Sequence, residues 1–156
     1  MENRNTWALA LLAFAMAGCD NMMSGTLVQT LPLSANEGGG YVPVTIALTQ
    51  DMSPALLSFR AQHGDDPNEI GKWNSYHVTL SRYGVVLKDA TFNINHTGSI
   101  DSPMGATFVN QPMIKINPPE SGDYELRIAP SKPLEVKLSK VEVEVRKNVN
   151  PDSGGF

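Results

Sequence analysis

The chain has a single cysteine, Cys19, so it can close no disulfide within itself. Its three histidines, His63, His77 and His96, fall in separate segments, whereas zinc ligands come in close-spaced pairs. There is no Gly-x-Ser-x-Gly, no His-Glu-x-x-His and no Cys-x-x-Cys. No activated nucleophile, metal set or cofactor fingerprint is therefore visible, and the expectation is a protein that is not an enzyme and carries no cofactor. A net charge of -4 without a basic cluster argues against nucleic acid and against electrostatic docking on anionic lipid. No segment after the first twenty residues keeps a helical period over a useful length, and no internal repeat or heptad is found.

One apolar run does stand out. Trp7 to Ala17 is apolar throughout and 11 residues long. A membrane-spanning helix needs about 20 such residues, so this run is too short to span. It has the length of a signal-peptide hydrophobic region, and Ala17-Gly18 supplies the small residues of a cleavage site just before Cys19.

Met16-Ala17-Gly18-Cys19 resembles the lipobox of bacterial lipoproteins. Met16 stands where that family usually has Leu, and Arg4 is nearly balanced by Glu2, so the start is only weakly positive. The resemblance implies that residues 1–18 are removed and that Cys19 carries acyl chains, palmitate among them. Several acyl chains on one residue anchor a protein firmly, since each buried methylene contributes about 0.8 kcal/mol. Asp20 resembles the signal that retains such proteins on the inner membrane, which implies the periplasmic face of that membrane, with the outer membrane as the alternative. Residues 19–25 read as the lipidated cysteine and a short tether. Removal of residues 1–18 leaves 138 of 156 residues, enough for one domain with its own core.

From Thr26 onward, short alternating runs are separated by Gly- and Pro-rich turns. Such runs read as strands of an all-β domain over residues 26–147. Strands are predicted at Thr26 to Leu33, Tyr41 to Thr49, Leu56 to Ala61, Ser75 to Tyr83, Thr91 to His96, Ala106 to Ile116, Asp123 to Ile128 and Leu134 to Val145, with Val85 to Leu87 as a hairpin arm. Pro112 predicts an edge position or a bulge, because proline has no N–H for a ladder. In the last run the apolar parity changes from even (Leu134, Val136, Leu138) to odd (Val141, Val143, Val145), which predicts a bulge or a strand break at Ser139-Lys140. With no helix to cover a sheet, two sheets packed face to face are the simplest arrangement: an antiparallel β-sandwich, immunoglobulin-like or jelly-roll-like. Glu120-Ser121-Gly122-Asp123-Tyr124 resembles the tyrosine corner of immunoglobulin-like sandwiches, a turn that also occurs in jelly rolls. Residues 148–156 read as a flexible polar tail.

Candidate ligand residues are few. Asp65, Asp66, Asn68 and Glu69 put oxygen ligands in one loop without the EF-hand spacing, so a solvated turn competes with a calcium site. Trp73 and Tyr76 lie at that loop, and aromatics next to polar groups suit a partner or sugar surface; parity places Tyr76 in the core, while Trp73, read as part of the loop, is the better candidate for exposure. Glu135, Lys137, Glu142, Glu144 and Arg146 alternate with apolar residues, the pattern of a solvated sheet face. The reading is a lipid-anchored module that binds a protein, as envelope factors and toxin-immunity lipoproteins do. The alternative is a carbohydrate- or peptidoglycan-binding lipoprotein.

Overall fold

The computed structural model describes residues 24–96 and 107–152. Cys19, Asp20 and residues 97–106, including Ala106 of the strand expected there, lie outside these residues. Eight strands follow the chain: β1 (Thr26–Pro32), β2 (Val44–Leu48), β3 (Ala55–His63), β4 (Trp73–Arg82), β5 (Val85–Asn95), β6 (Thr107–Ile116), β7 (Gly122–Pro130) and β8 (Leu138–Lys147). Alternation drives them. In β4 the even residues Tyr76, Val78 and Leu80 are buried while Ser75, His77 and Thr79 are not. In β7 Tyr124, Leu126 and Ile128 turn inward and Asp123, Arg127 and Ala129 outward.

The strands form two antiparallel four-stranded sheets, β1-β8-β3-β6 and β2-β7-β4-β5. First pairs with last, second with seventh, third with sixth and fourth with fifth. A long two-stranded ribbon wrapped over itself gives that nesting, and it is the jelly roll. An immunoglobulin order would put β1 and β2 side by side in one sheet, and here they lie in opposite sheets. The order also sorts the connections. Ser24, the β2–β3, β4–β5 and β6–β7 connections and residues 148–152 share one pole, here called the terminal pole. The β1–β2, β3–β4 and β7–β8 connections share the far pole.

Both irregularities expected from the sequence occur. β6 is an edge strand, and the ladder steps from Leu57↔Ile114 to Ser58↔Pro112, leaving Met113 as the extra residue. In β8 the ladder steps from Arg60↔Glu142 to Gln62↔Ser139, so Lys140 and Val141 oppose one residue, and Lys140 takes φ 47°. This bulge lets Val143 and Val145 reach the core on the opposite parity from Leu138. The strand itself begins at Leu138, so Leu134 and Val136 belong to the β7–β8 connection.

Between the sheets, Tyr41, Phe59, Tyr76 and Phe92 form a ring cluster. Phe59 lies 5.7 Å from Tyr41, 5.5 Å from Tyr76 and 5.2 Å from Phe92 between ring centres. Such pairs contribute about 0.5–1.5 kcal/mol each beyond their burial. The tyrosine corner closes as expected, with the Tyr124 hydroxyl donating to the Glu120 carbonyl at 2.6 Å. Replacing Tyr124 by Phe is expected to lower unfolding free energy by about 1–2 kcal/mol in a urea titration, the cost of a buried hydrogen bond.

The outer face of the β1-β8-β3-β6 sheet departs from the solvated face read in the sequence. Glu144 is 8% exposed and Arg146 only 3%. Arg60 explains the first. It pairs with Glu142, approaches Glu144 at 3.6 Å and lies 3.9 Å over the Phe108 ring, while Asn110 donates to Glu144 at 2.9 Å. Arg146 donates to the Gly25 carbonyl at 3.3 Å. A buried charge persists when a countercharge and hydrogen bonds replace its water, as Arg60 and Asn110 do for Glu144. The stretch read as a tail is also tied down at its start. Asn148 and Val149 donate to the carbonyls of Met52 and Pro54, Asn150 donates to the Ser24 hydroxyl, and Lys115 donates to Pro151.

Candidate functional site

A cavity of about 450 Å³ opens at the far pole between the two sheets. Its floor is Tyr41 and Tyr76, and its apolar walls include Leu33, Leu134, Val136 and Leu138. Glu69 supplies a carboxylate at the side. Three connections have to converge to build it, and one side chain organises the convergence. Asn74 sits on the inward parity of β4, fully buried. Its Oδ1 accepts from the backbone N–H groups of Glu135 (2.8 Å) and Val136 (3.0 Å), and its Nδ2 donates to the Val136 carbonyl (2.7 Å). The amide thus acts as a one-residue strand for the β7–β8 connection. Nδ2 also lies 3.2 Å from the Tyr76 hydroxyl, which fixes the floor.

Tyr41 arrives from the other side. Its N–H donates to the Ile128 carbonyl at 3.1 Å, and this close approach needs a glycine before it. A Cβ on Gly40 would stand 2.9 Å from that same carbonyl oxygen. Asn36 holds the turn that delivers it, its Oδ1 accepting from Gly38 and Gly40. Glu69 is buried as well, and its Oε2 accepts from the Lys137 N–H at 3.0 Å.

Burial pushes the Tyr41 hydroxyl far above its ordinary ionisation range, and the neighbouring Tyr76, which shares a hydrogen bond with it, adds to the shift. Tyr76 is raised too, again chiefly by burial. The folded chain therefore holds protons that the unfolded chain releases near pH 10, so this share of stability is intact below about pH 10 and falls as pH rises above it. The urea midpoint is expected to stay flat between roughly pH 7 and 9 and to drop by roughly pH 11, with a shallower drop in Tyr41→Phe.

The residues singled out in the sequence separate here. Tyr76 and Glu69 line the cavity. Tyr76 is buried, as its parity requires, so it offers a floor and no outer surface. Trp73, 40% exposed, opens β4 and lines a neighbouring hollow of about 590 Å³ with Ile70, Lys72, Asn93 and Asn95. The Lys132 ammonium stands 3.3 Å over its ring, a cation–π contact that covers one indole face. Asp65 and Asp66 are exposed on the β3–β4 loop. Asp66 accepts from the Asn68 N–H and side chain, an Asx-turn that holds its carboxyl below the usual range. Asp66 is turned to Asn68 and Glu69 inward to Lys137, so these two carboxylates face different partners.

His63 and His96 meet, which their separation in sequence did not suggest. Their ring centres are 4.1 Å apart and both rings are buried. The Gly64 carbonyl lies 3.0 Å from His63 Nδ1 and 2.8 Å from His96 Nε2. A carbonyl only accepts, so each of those nitrogens carries a proton. His77 is on the outer face, 2.7 Å from Asp89. Asn74 and Tyr41 are the cavity residues that sequence reasoning missed. Asn74 had a signal, since it is a polar residue on the apolar parity of its strand. No protein-family model matches the chain, and no curated protein matches it.

Proposed function

We propose that the chain is a lipoprotein of the bacterial envelope, anchored through acylated Cys19 on the periplasmic face of the inner membrane, and that it binds a protein partner without catalysis. The observation that carries the binding role is the far-pole cavity. It is about 450 Å³, with mainly apolar walls, two tyrosines at its floor and a carboxylate at its side. Pockets of this size and character take one bulky apolar group and orient it with a few polar contacts. Its walls include Leu134, exposed at the rim, which suits a side chain presented by another protein. Ser24 lies at the opposite pole, so a short tether leaves the cavity facing away from the bilayer.

The anchor is tested by palmitate labelling in cells. Wild-type chain is expected to be labelled and retained with membranes, and Cys19→Ala to lose both. Recovery of unlabelled wild-type chain with residues 1–18 attached overturns the anchor. Binding is tested by cross-linking and pull-down of the lipidated protein beside Leu134→Glu, which charges the rim at an exposed position. A partner held by wild type and lost by the variant supports the cavity; a partner held equally by both overturns it.

A second reading rests on the Trp73 hollow. An indole edge beside Asn93 and Asn95 is the kind of surface that holds a sugar ring. Retention on purified peptidoglycan that Trp73→Ala abolishes would select it over the protein partner.

A further inference from the structure

The β4–β5 hairpin is built against ordinary turn chemistry. Its two turn residues are Tyr83 (φ 51°) and Gly84 (φ 77°), both left-handed, as a two-residue hairpin requires. Asn or Asp is the usual first residue there, because a bulky side chain is disfavoured at positive φ. The Tyr83 ring is not a core residue that would justify its place: it is 88% exposed. Arg82 steadies it from behind. The guanidinium carbon lies 4.8 Å over the ring, and the same group pairs with Glu120 at 2.8 Å and donates to the Ser121 carbonyl at 3.0 Å. The arm that follows is equally bare. Val85 is 61% exposed and Val86 55%, and Leu87 is exposed beside them. Leu87 is the extra residue of a bulge, since the ladder steps from Leu80↔Lys88 to Ser81↔Val86. Val85 and Lys88 stand opposite Arg82 and Leu80, on the inward parity of β4, and both are exposed, so the arm projects past the facing sheet. Residues 83–87 carry no charge and are bracketed by Arg82 and Lys88.

This arm is at the terminal pole, where Ser24 receives the Asn150 N–H. Ser24 stands five residues past Cys19, a reach of at most about 18 Å. We propose that the Tyr83–Leu87 arm rests in the interfacial layer of the membrane that holds the anchor, with the Tyr83 tip and the aliphatic side chains behind it at the boundary between headgroups and acyl chains. The occupant of this apolar surface is phospholipid. Tyrosine favours that depth, and the exposed Lys88 that closes the arm suits the headgroups above it. With two points of contact, the acyl chains and the arm, the domain has a fixed tilt, and the cavity is held toward the periplasm. The inference rests on the anchor reading.

The test uses acylated protein purified from membranes, its acylation verified by intact mass, in vesicles of phosphatidylethanolamine and phosphatidylglycerol with brominated acyl chains. Once residues 1–18 are removed, Trp73 is the sole tryptophan, and it stands at the far pole. Wild-type emission is expected to be unaffected by bromine. The double variant Tyr83→Trp/Trp73→Phe moves the only indole to the arm. It is expected to lose roughly half its emission, as for a ring sunk to the headgroup boundary. Adding Val86→Asp is expected to restore it. An acylated double variant whose emission ignores bromine overturns the arm and leaves the anchor standing. Blue-shifted but unquenched emission from that variant assigns the arm to a protein surface and overturns the proposal as well. A chain with no acyl group overturns both readings.

Discussion

Phe59→Ala is expected to reduce the unfolding free energy by about 3–5 kcal/mol, the range for deleting a buried aromatic side chain. Phe59 is fully buried on an internal strand and touches Tyr41, Tyr76 and Phe92 at once. Alanine there removes three ring contacts and opens a void between sheets that cannot close without moving both. A domain of this kind is stable by about 5–15 kcal/mol, so the variant forfeits a large part of the total. Urea unfolding of the two proteins at one pH measures it. Phe59→Leu, which keeps most of the volume, is expected to lose less than half as much. Equal losses in the two variants would mean that the retained volume of leucine counts for little and that the ring contacts set the whole cost.

The second large effect is expected from Asn74→Ala, roughly 3 kcal/mol, because one substitution orphans several polar groups. The amides of Glu135 and Val136 and the Val136 carbonyl all lose their partner, and the Tyr76 hydroxyl loses a neighbour. The damage is local in origin. Amide hydrogen exchange is expected to accelerate at Glu135, Val136 and Lys137 well before the sheets open. The cavity loses the wall that Leu134 and Val136 make, so capture of the proposed partner is expected to fall in step. Unchanged exchange at Val136 would show that the connection is held by something other than this amide.

Much of the sandwich was legible because its signals are local. Alternation in 75–82 and 123–128 needs no knowledge of a partner strand, and a parity change such as the one after Leu138 demands a bulge or a break, of which the structure has the bulge. Pro112, lacking an N–H, announced an edge or a bulge, and β6 has both. The choice between immunoglobulin and jelly-roll order was not legible, since Glu120 to Tyr124 makes the same corner in either. It depends on which strand lies beside β1, and that partner is more than a hundred residues away. The candidate site was half legible. Tyr76 and Glu69 were found as residues beside a polar loop, but their meeting in a cavity depends on Tyr41, delivered by the Gly38–Gly40 turn, and on the β7–β8 connection, delivered by Asn74. The Glu144 and Arg146 side chains misled for a different reason. Alternating charge describes a face turned away from the core, and such a face stays wet only if nothing folds over it or pairs with it. Arg60 sits on another strand, and periodicity within β8 carries no trace of it.

The nesting of first strand with last has a consequence for how the chain comes into being. β1 hydrogen-bonds to β8 alone, so its ladder has no template until the segment near residue 147 has left the ribosome. Contacts of such long sequence separation make assembly slow compared with that of helical domains. The nascent polypeptide therefore keeps its first strand unpaired until synthesis is nearly complete, and the sandwich closes only once its last strand has emerged.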